Sequence, residues 1–256
     1  MPGNVDRERR GDILIATLDN PRRLNALDGP MLEALAGRAE DVERDSAIRA
    51  VVLRGAGGRA FCAGADIAEW GALDADDFAR QWIGAGHQLF DRLARLPVPI
   101  IAALEGVVFG GGLELAAVCD VRIATRDATF ALPEASVGVT AGWSGLQRLA
   151  RLLPEPLVRE MALTGARLSG ERLYAVGFVN EIDADPPARA FAVAERILPL
   201  APRAVEAAKW VLGASRGEGR EQAIDQLAAG LVARTLDRQE GTRSFQAKQK
   251  PDFKGR

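Results

Sequence analysis

Histidine is nearly missing from this chain of 256 residues: His87 is the only one. A Ser-His-Asp or Cys-His catalytic arrangement would have to use it. It lies in 81–93, whose apolar spacing predicts an amphipathic helix, and there a structural role is the ordinary one. Cysteine is almost as scarce, with Cys62 and Cys119 alone. They could pair, but they make no disulfide framework, and with one histidine they offer no cluster with metal-ligand spacing. Two reduced thiols in a cytoplasmic protein are the expectation. No apolar run is long enough to span a bilayer. Residues 1–10 are polar and charged, with no apolar core behind them, so they read as a frayed terminus and not as a secretory signal. Charge of neither sign is in excess: 33 Lys and Arg face 35 Asp and Glu. That balance gives no bulk electrostatic argument for nucleic acid or a membrane surface as partner.

What is present suits a globular α/β protein. Hydrophobic residues make up 48% of the chain, enough for a full core, and the length suits one domain, alone or with a small appendage. β-rich runs at 13–18, 50–53, 100–104 and 121–124 alternate with helical periods at 30–42 and 111–119, which predicts an α/β core built from short crossover units. Beyond Gly142 helical periods dominate, at 146–153, 156–164, 170–176, 187–198, 203–212 and 220–236. The expected organisation is a core over 1–190 and a helical region over 191–256. The tail from Phe245 is basic and carries Phe245 and Phe253, which predicts docking against another surface.

Chemistry concentrates at Gly110-Gly111-Gly112-Leu113-Glu114 and at Pro133-Glu134. Glycines allow close backbone approach to a ligand. A helix starting there presents unpaired N–H groups that favour negative charge. Glu114 falls in its first turn, and Glu134 brings a second carboxylate from a separate segment. An anion-stabilising helix start with two acids suits acid–base chemistry on a carbonyl compound.

These segments also carry a family resemblance. Phe61-Cys62-Ala63-Gly64-Ala65-Asp66-Ile67 resembles the FxAGxDI segment of the crotonase (enoyl-CoA hydratase/isomerase) superfamily. Residues 110–116 with 119–124 resemble its second signature, and Phe130-Ala131-Leu132-Pro133-Glu134 with Gly138 its third. Residues 20–27, 163–165 and 175–179 match further elements in the family's order. The resemblance implies a spiral of stacked ββα units with a C-terminal helical part that supports a homotrimer or a dimer of trimers.

It also implies an acyl-CoA thioester substrate, with coenzyme A part of that substrate and no separate cofactor or metal. By position, the oxyanion-hole amides belong to Ala65 and Gly111, and the catalytic acids are Glu114 and Glu134. One carboxylate takes a proton from the water that attacks C3, and the other serves the α-carbon. Isomerases of the family keep the second glutamate and lose the first, so the presence of both favours hydration. The resemblance places Arg22, Arg23, Leu24 and Ala63 around the adenine and pantetheine, and counts Asp66, Ile67, Gly142 and Trp143 among substrate contacts. For Asp66 alone, the usual role of an acid at a helix start is a cap. Phe245 and Lys248 are the nearest candidates for a phosphate-end contact supplied by a neighbouring subunit. The chain departs from the common GxxPGxGGxxRL pattern in 138–149, where Ala141 replaces proline, Ser144 replaces glycine and Trp143 sets a large ring beside the expected acyl site. The leading expectation is a hydratase acting on a 2-enoyl-CoA. Its rivals are an isomerase or another CoA-enolate lyase or decarboxylase, and a noncatalytic RNA-binding member of the same fold.

Overall fold

The structure, a computed structural model, describes residues 2–256. Ten strands run along the described residues: β1 (Asn4–Arg10), β2 (Ile13–Asp19), β3 (Ala50–Gly55), β4 (Ala60–Cys62), β5 (Ile100–Leu104), β6 (Val107–Phe109), β7 (Val121–Ala124), β8 (Thr129–Ala131), β9 (Leu168–Ser169) and β10 (Glu181–Ile182). The helices are α1 (Gly29–Arg44), α2 (Ile67–Trp70), α3 (Ala75–Asp77), α4 (Gly84–Ala94), α5 (Gly111–Val118), α6 (Gly145–Leu152), α7 (Glu155–Thr164), α8 (Gly170–Ala175), α9 (Pro186–Glu195), α10 (Pro202–Ser215), α11 (Arg220–Val232) and α12 (Leu236–Gln246). A π-helical turn, Phe78–Ile83, leads into α4.

The strands form two sheets. One has the order β1-β2-β3-β5-β7-β10, the other β4-β6-β8-β9. The consecutive pairs β3–β4, β5–β6 and β7–β8 each send one strand to either sheet, so the chain advances as a spiral. Pairing from β2 to β10 is parallel throughout the larger sheet, and β4, β6 and β8 are parallel in the smaller one.

The central strands of the larger sheet are buried on both faces, which is why they read as unbroken apolar runs. Leu14, Ala16, Val51, Leu53, Ala102 and Leu104 pack into the main core. Their alternates Ile13, Ile15, Val52, Ile101, Ala103 and Ile123 form a second core, closed by Ala190 and Ala194 of α9. This second layer bears on the boundary expected at residue 190. The chain forms two compact units, 1–206 and 207–256, and α9 lies in the first because it covers the back of the sheet.

The N-terminal segment is not frayed over its described residues. β1 pairs antiparallel with β2 along its whole length, from Asn4 opposite Asp19 to Arg10 opposite Ile13. Its polar sequence reflects an edge strand in which only Val5 is buried. Met1 lies outside the described residues. The short strands β4, β6 and β8 were also unread in the sequence, because three residues are too few to establish an alternation. The helical period over 220–236 is α11, which ends at Val232, and α12 is a further helix beyond it: Thr235 caps α12, its hydroxyl accepting from Arg238 N at 3.1 Å.

In the second unit the tail folds back along α12. Leu236 and Asp237 amides donate to the Arg256 carbonyl, and the Asp237 carboxylate accepts from Lys254 N and Gly255 N. Phe245 stands 86% exposed.

Candidate active site

The site is built around α5, which is buried along its entire length. A helix apolar on every side belongs in a core, and the one ionisable group it carries, Glu114, is 3% exposed. The helix packs too closely on the smaller sheet for a side chain at Gly112, where a Cβ would fall 2.2 Å from the Cys62 carbonyl oxygen. Gly110, at φ 51°, turns the chain from β6 into the helix and is left-handed backbone that favours glycine.

Glu114 is held through one oxygen. Its Oε1 accepts from Trp143 N and from Gly145 N, each at 2.8 Å. Burial raises its pKa to about 7. The two amides and Arg148 oppose the rise, and Glu134 adds to it. Glu134 follows Pro133 at the exit of β8, and both its carboxyl oxygens are buried without a hydrogen-bond partner. Burial raises its pKa as well. Its own backbone N–H opposes this weakly, without the geometry of a hydrogen bond.

Two backbone amides meet near these acids. A Cβ built on Gly111 would lie 3.4 Å from Ala65 N, and one built on Gly64 would lie 3.6 Å from Gly111 N. Neither amide donates a hydrogen bond within the described residues. Ala65 is brought there by a parallel bridge to Leu27, in which Leu27 N donates to Gly64 O and Asp66 N to Leu27 O. The pair thus comes from the loop after β4 and the first residue of α5, and can hold an oxyanion.

A cavity of about 130 Å³ opens onto the acids and amides. Of the positions expected to act, it gathers Ala63, Ala65, Ile67, Gly111, Glu114, Glu134, Gly142 and Trp143. Arg22, Arg23, Leu24 and Asp66 do not line it. Leu24 nevertheless adjoins it, its carbonyl accepting from Ala63 N at 2.9 Å. Asp66 caps α2, accepting from Ala68 N, and is ion-paired with Arg23. It serves there as a structural partner. Phe245 and Lys248 belong to the second unit.

Sequence reasoning missed apolar residues of the wall: Phe78 and Ile83 in the π-helical turn, and Val137 and Val139 after Glu134. Val137 and Val139 are apolar and close to Glu134 in the chain, whereas Phe78 and Ile83 lie far from both glutamates and carried no such signal. Trp70 and Trp82, which are more often core residues, line the cavity too, and Trp82 lies 5.5 Å from Trp143, ring centre to ring centre.

The cysteines are free and buried. Burial pushes the Cys62 thiol up to about 12, which leaves it without nucleophilic character. No group of three or more His, Cys, Asp or Glu among the described residues could hold a metal ion. No helix of the described residues is long and apolar enough to cross a membrane.

Known proteins give the same picture. The profile of the enoyl-CoA hydratase/isomerase family matches residues 8–256. A short-chain-enoyl-CoA hydratase of Clostridium acetobutylicum is 33% identical over 99% of this chain and 98% of its own length. A 2,3-dehydroadipyl-CoA hydratase of Escherichia coli is 34% identical over 98% of each. Among solved structures, an enoyl-CoA hydratase from Bacillus anthracis superposes with a TM-score of 0.79 at 30% identity, covering 99% of this chain and all of that one. On the match of profile, relatives and fold over almost its whole length, the chain belongs to the enoyl-CoA hydratase/isomerase family and is an enzyme of the crotonase fold.

Proposed function

We propose that the protein adds water across the double bond of a 2-enoyl-CoA thioester. The observation that carries this reading is the pair of glutamates, Glu114 buried and Glu134 half-buried with buried carboxyl oxygens, facing one cavity beside two unpaired amides. The thioester oxygen accepts from Ala65 N–H and Gly111 N–H, which stabilise the charge that develops there as the enolate forms. Glu114, oriented through Oε1, takes a proton at its other oxygen from the water whose oxygen bonds to C3. The electron pair of the double bond moves toward the thioester, and Glu134 delivers a proton to C2. The product is a 3-hydroxyacyl-CoA, and proton exchange through water resets the two acids. With a pKa of about 7, Glu114 is close to half ionised at neutral pH and suits a group that alternates between base and acid. Isomerases retain only the second acid, so the presence of Glu114 supports hydration over double-bond migration.

The wall supports an uncharged acyl group. Ile67, Trp70, Phe78, Trp82, Ile83 and Val139 line it, and its only ionisable residues are the two glutamates. An acyl carboxylate would meet their charge with no cation to pair it. The adenine and pantetheine run past Ala63 and Leu24, with Arg22 supplying positive charge. A second copy of the chain covers the apolar surface of the C-terminal unit, within a trimer or a dimer of trimers.

A panel of enoyl-CoA thioesters, with products identified by mass, tests the reading. Neutral substrates should gain one water. An acyl chain ending in a carboxylate should react at least tenfold more slowly, the scale of a poorly matched polar group. Absence of a hydrated product from every member would overturn the proposal.

A further inference from the structure

The two amides that hold Glu114 come from residues 143 and 145. The residue between them, Ser144, has φ 66° and ψ 15°, left-handed backbone that a serine adopts only under strain. In the family pattern this position is commonly glycine, which takes the conformation freely. The serine must therefore be held, and its partners lie on α4. Its hydroxyl donates to Asp91 Oδ1 at 3.3 Å and stands 2.9 Å from His87 Nδ1. Asp91 is itself fixed, accepting from Arg148 Nη2 at 2.6 Å and from Arg95 Nη2 at 3.1 Å. Arg148 returns to the same turn, donating to the Trp143 carbonyl at 3.4 Å. Ser144 is 7% exposed and outside the cavity wall, so it touches no substrate. The Ser-His-Asp composition is not a nucleophilic triad either: His87 and Asp91 converge on the serine from one helix, and Asp91 is engaged by two arginines.

We propose that Ser144 is a positioning residue whose hydroxyl, anchored to His87 and Asp91 of α4, holds the left-handed turn that presents the Trp143 and Gly145 amides to Glu114. The inference rests on the acid–base role of Glu114 proposed above. If the turn loosens, the carboxylate loses the donors that support its ionised form, while Glu134 and burial continue to disfavour it. The charged groups acting on Glu114 are Glu134 and Arg148. Those around the anchor are Asp91, Arg95 and Arg148, beside the His87 ring.

The test compares wild type, Ser144→Ala, Ser144→Gly and His87→Ala. Alanine removes the anchor and keeps the strain. Glycine removes both and serves as the folding control. The first readout is the titration midpoint of Glu114, followed by NMR of carboxyl-labelled glutamate and assigned with Glu114→Gln. The second is the pH profile of kcat with crotonyl-CoA. In Ser144→Ala the midpoint should rise, the matching limb of kcat should move with it, and kcat should fall on the order of tenfold with KM unchanged, as for a slightly misplaced group. His87→Ala should move the midpoint in the same direction and by less, since Asp91 remains. Ser144→Gly should fold and lie between wild type and Ser144→Ala. An unmoved Glu114 midpoint in folded Ser144→Ala overturns the inference, and if Ser144→Ala does not fold, an unmoved midpoint in His87→Ala overturns it. A wild-type protein that hydrates nothing refutes the hydratase reading instead, and the NMR titration still decides the role of Ser144.

Discussion

At the scale of single residues, Glu114 sets the pH behaviour. Its pKa is raised from an ordinary 4.5 to about 7 by burial, so the folded state holds the proton more tightly than the unfolded chain does. The stability this contributes is fully present below pH 4.5 and is lost as pH rises through 7. Glu114→Gln keeps an oxygen for the two amides and abolishes the titration. Between pH 5 and pH 8, urea unfolding should show wild type losing stability relative to Glu114→Gln, by at most about 3 kcal/mol. Glu134 acts electrostatically on Glu114, so the difference reports the two acids as a coupled pair, with burial of Glu114 its largest part. Hydration should fall at least a hundredfold in Glu114→Gln, as in Glu134→Gln. Parallel pH dependences of stability would refute the raised pKa. Glu114 itself was legible in the sequence beside its glycines, but its surroundings were not: the two amides that grip it lie 29 and 31 residues further on.

At the scale of elements, the start of α5 and the loop after β4 act as one device. A Cβ at Gly111 would fall 2.8 Å from the Trp143 ring. A branched side chain there must displace either the ring, which is packed on Phe90 and Trp82, or the amide itself. Gly111→Val should therefore cut kcat by roughly two to four powers of ten, the cost of a displaced oxyanion donor. Ala65→Gly keeps its N–H and should cost far less. Steady-state kinetics on both variants distinguishes them, and equal losses would refute the assignment of these two amides. The sequence signalled the glycines through a resemblance and through close approach. It gave no sign that Trp143 is what fills the space beside Gly111, because that contact joins α5 to the loop before α6.

At the scale of the whole molecule, the C-terminal unit exposes apolar side chains that an isolated chain would not favour. Leu212 is 67% exposed, Leu231 72% and Phe245 86%. Large apolar side chains left exposed are what a subunit interface would cover. Light scattering at micromolar concentration should give the mass of three or six chains, in closed symmetry. A monomer would remove the reason for this surface.

Local chemistry was enough for the sequence to determine the central strands, the helix after Gly110, both catalytic candidates and the helical C-terminal stretch. Unbroken apolar runs, helical spacing and glycines beside acids are all properties of neighbouring residues. Tertiary structure decided the rest. β1 is a strand because β2 offers it a partner, not because its own charged residues favour one. The first unit runs past residue 190 because the back of a two-faced sheet must be covered, and α9 covers it. Asp66 turned out to be a cap ion-paired with Arg23, and the acidity of Glu114 depends on burial and on donors from a distant turn. Pairing, coverage and desolvation act between segments far apart in the chain, so no local pattern records them.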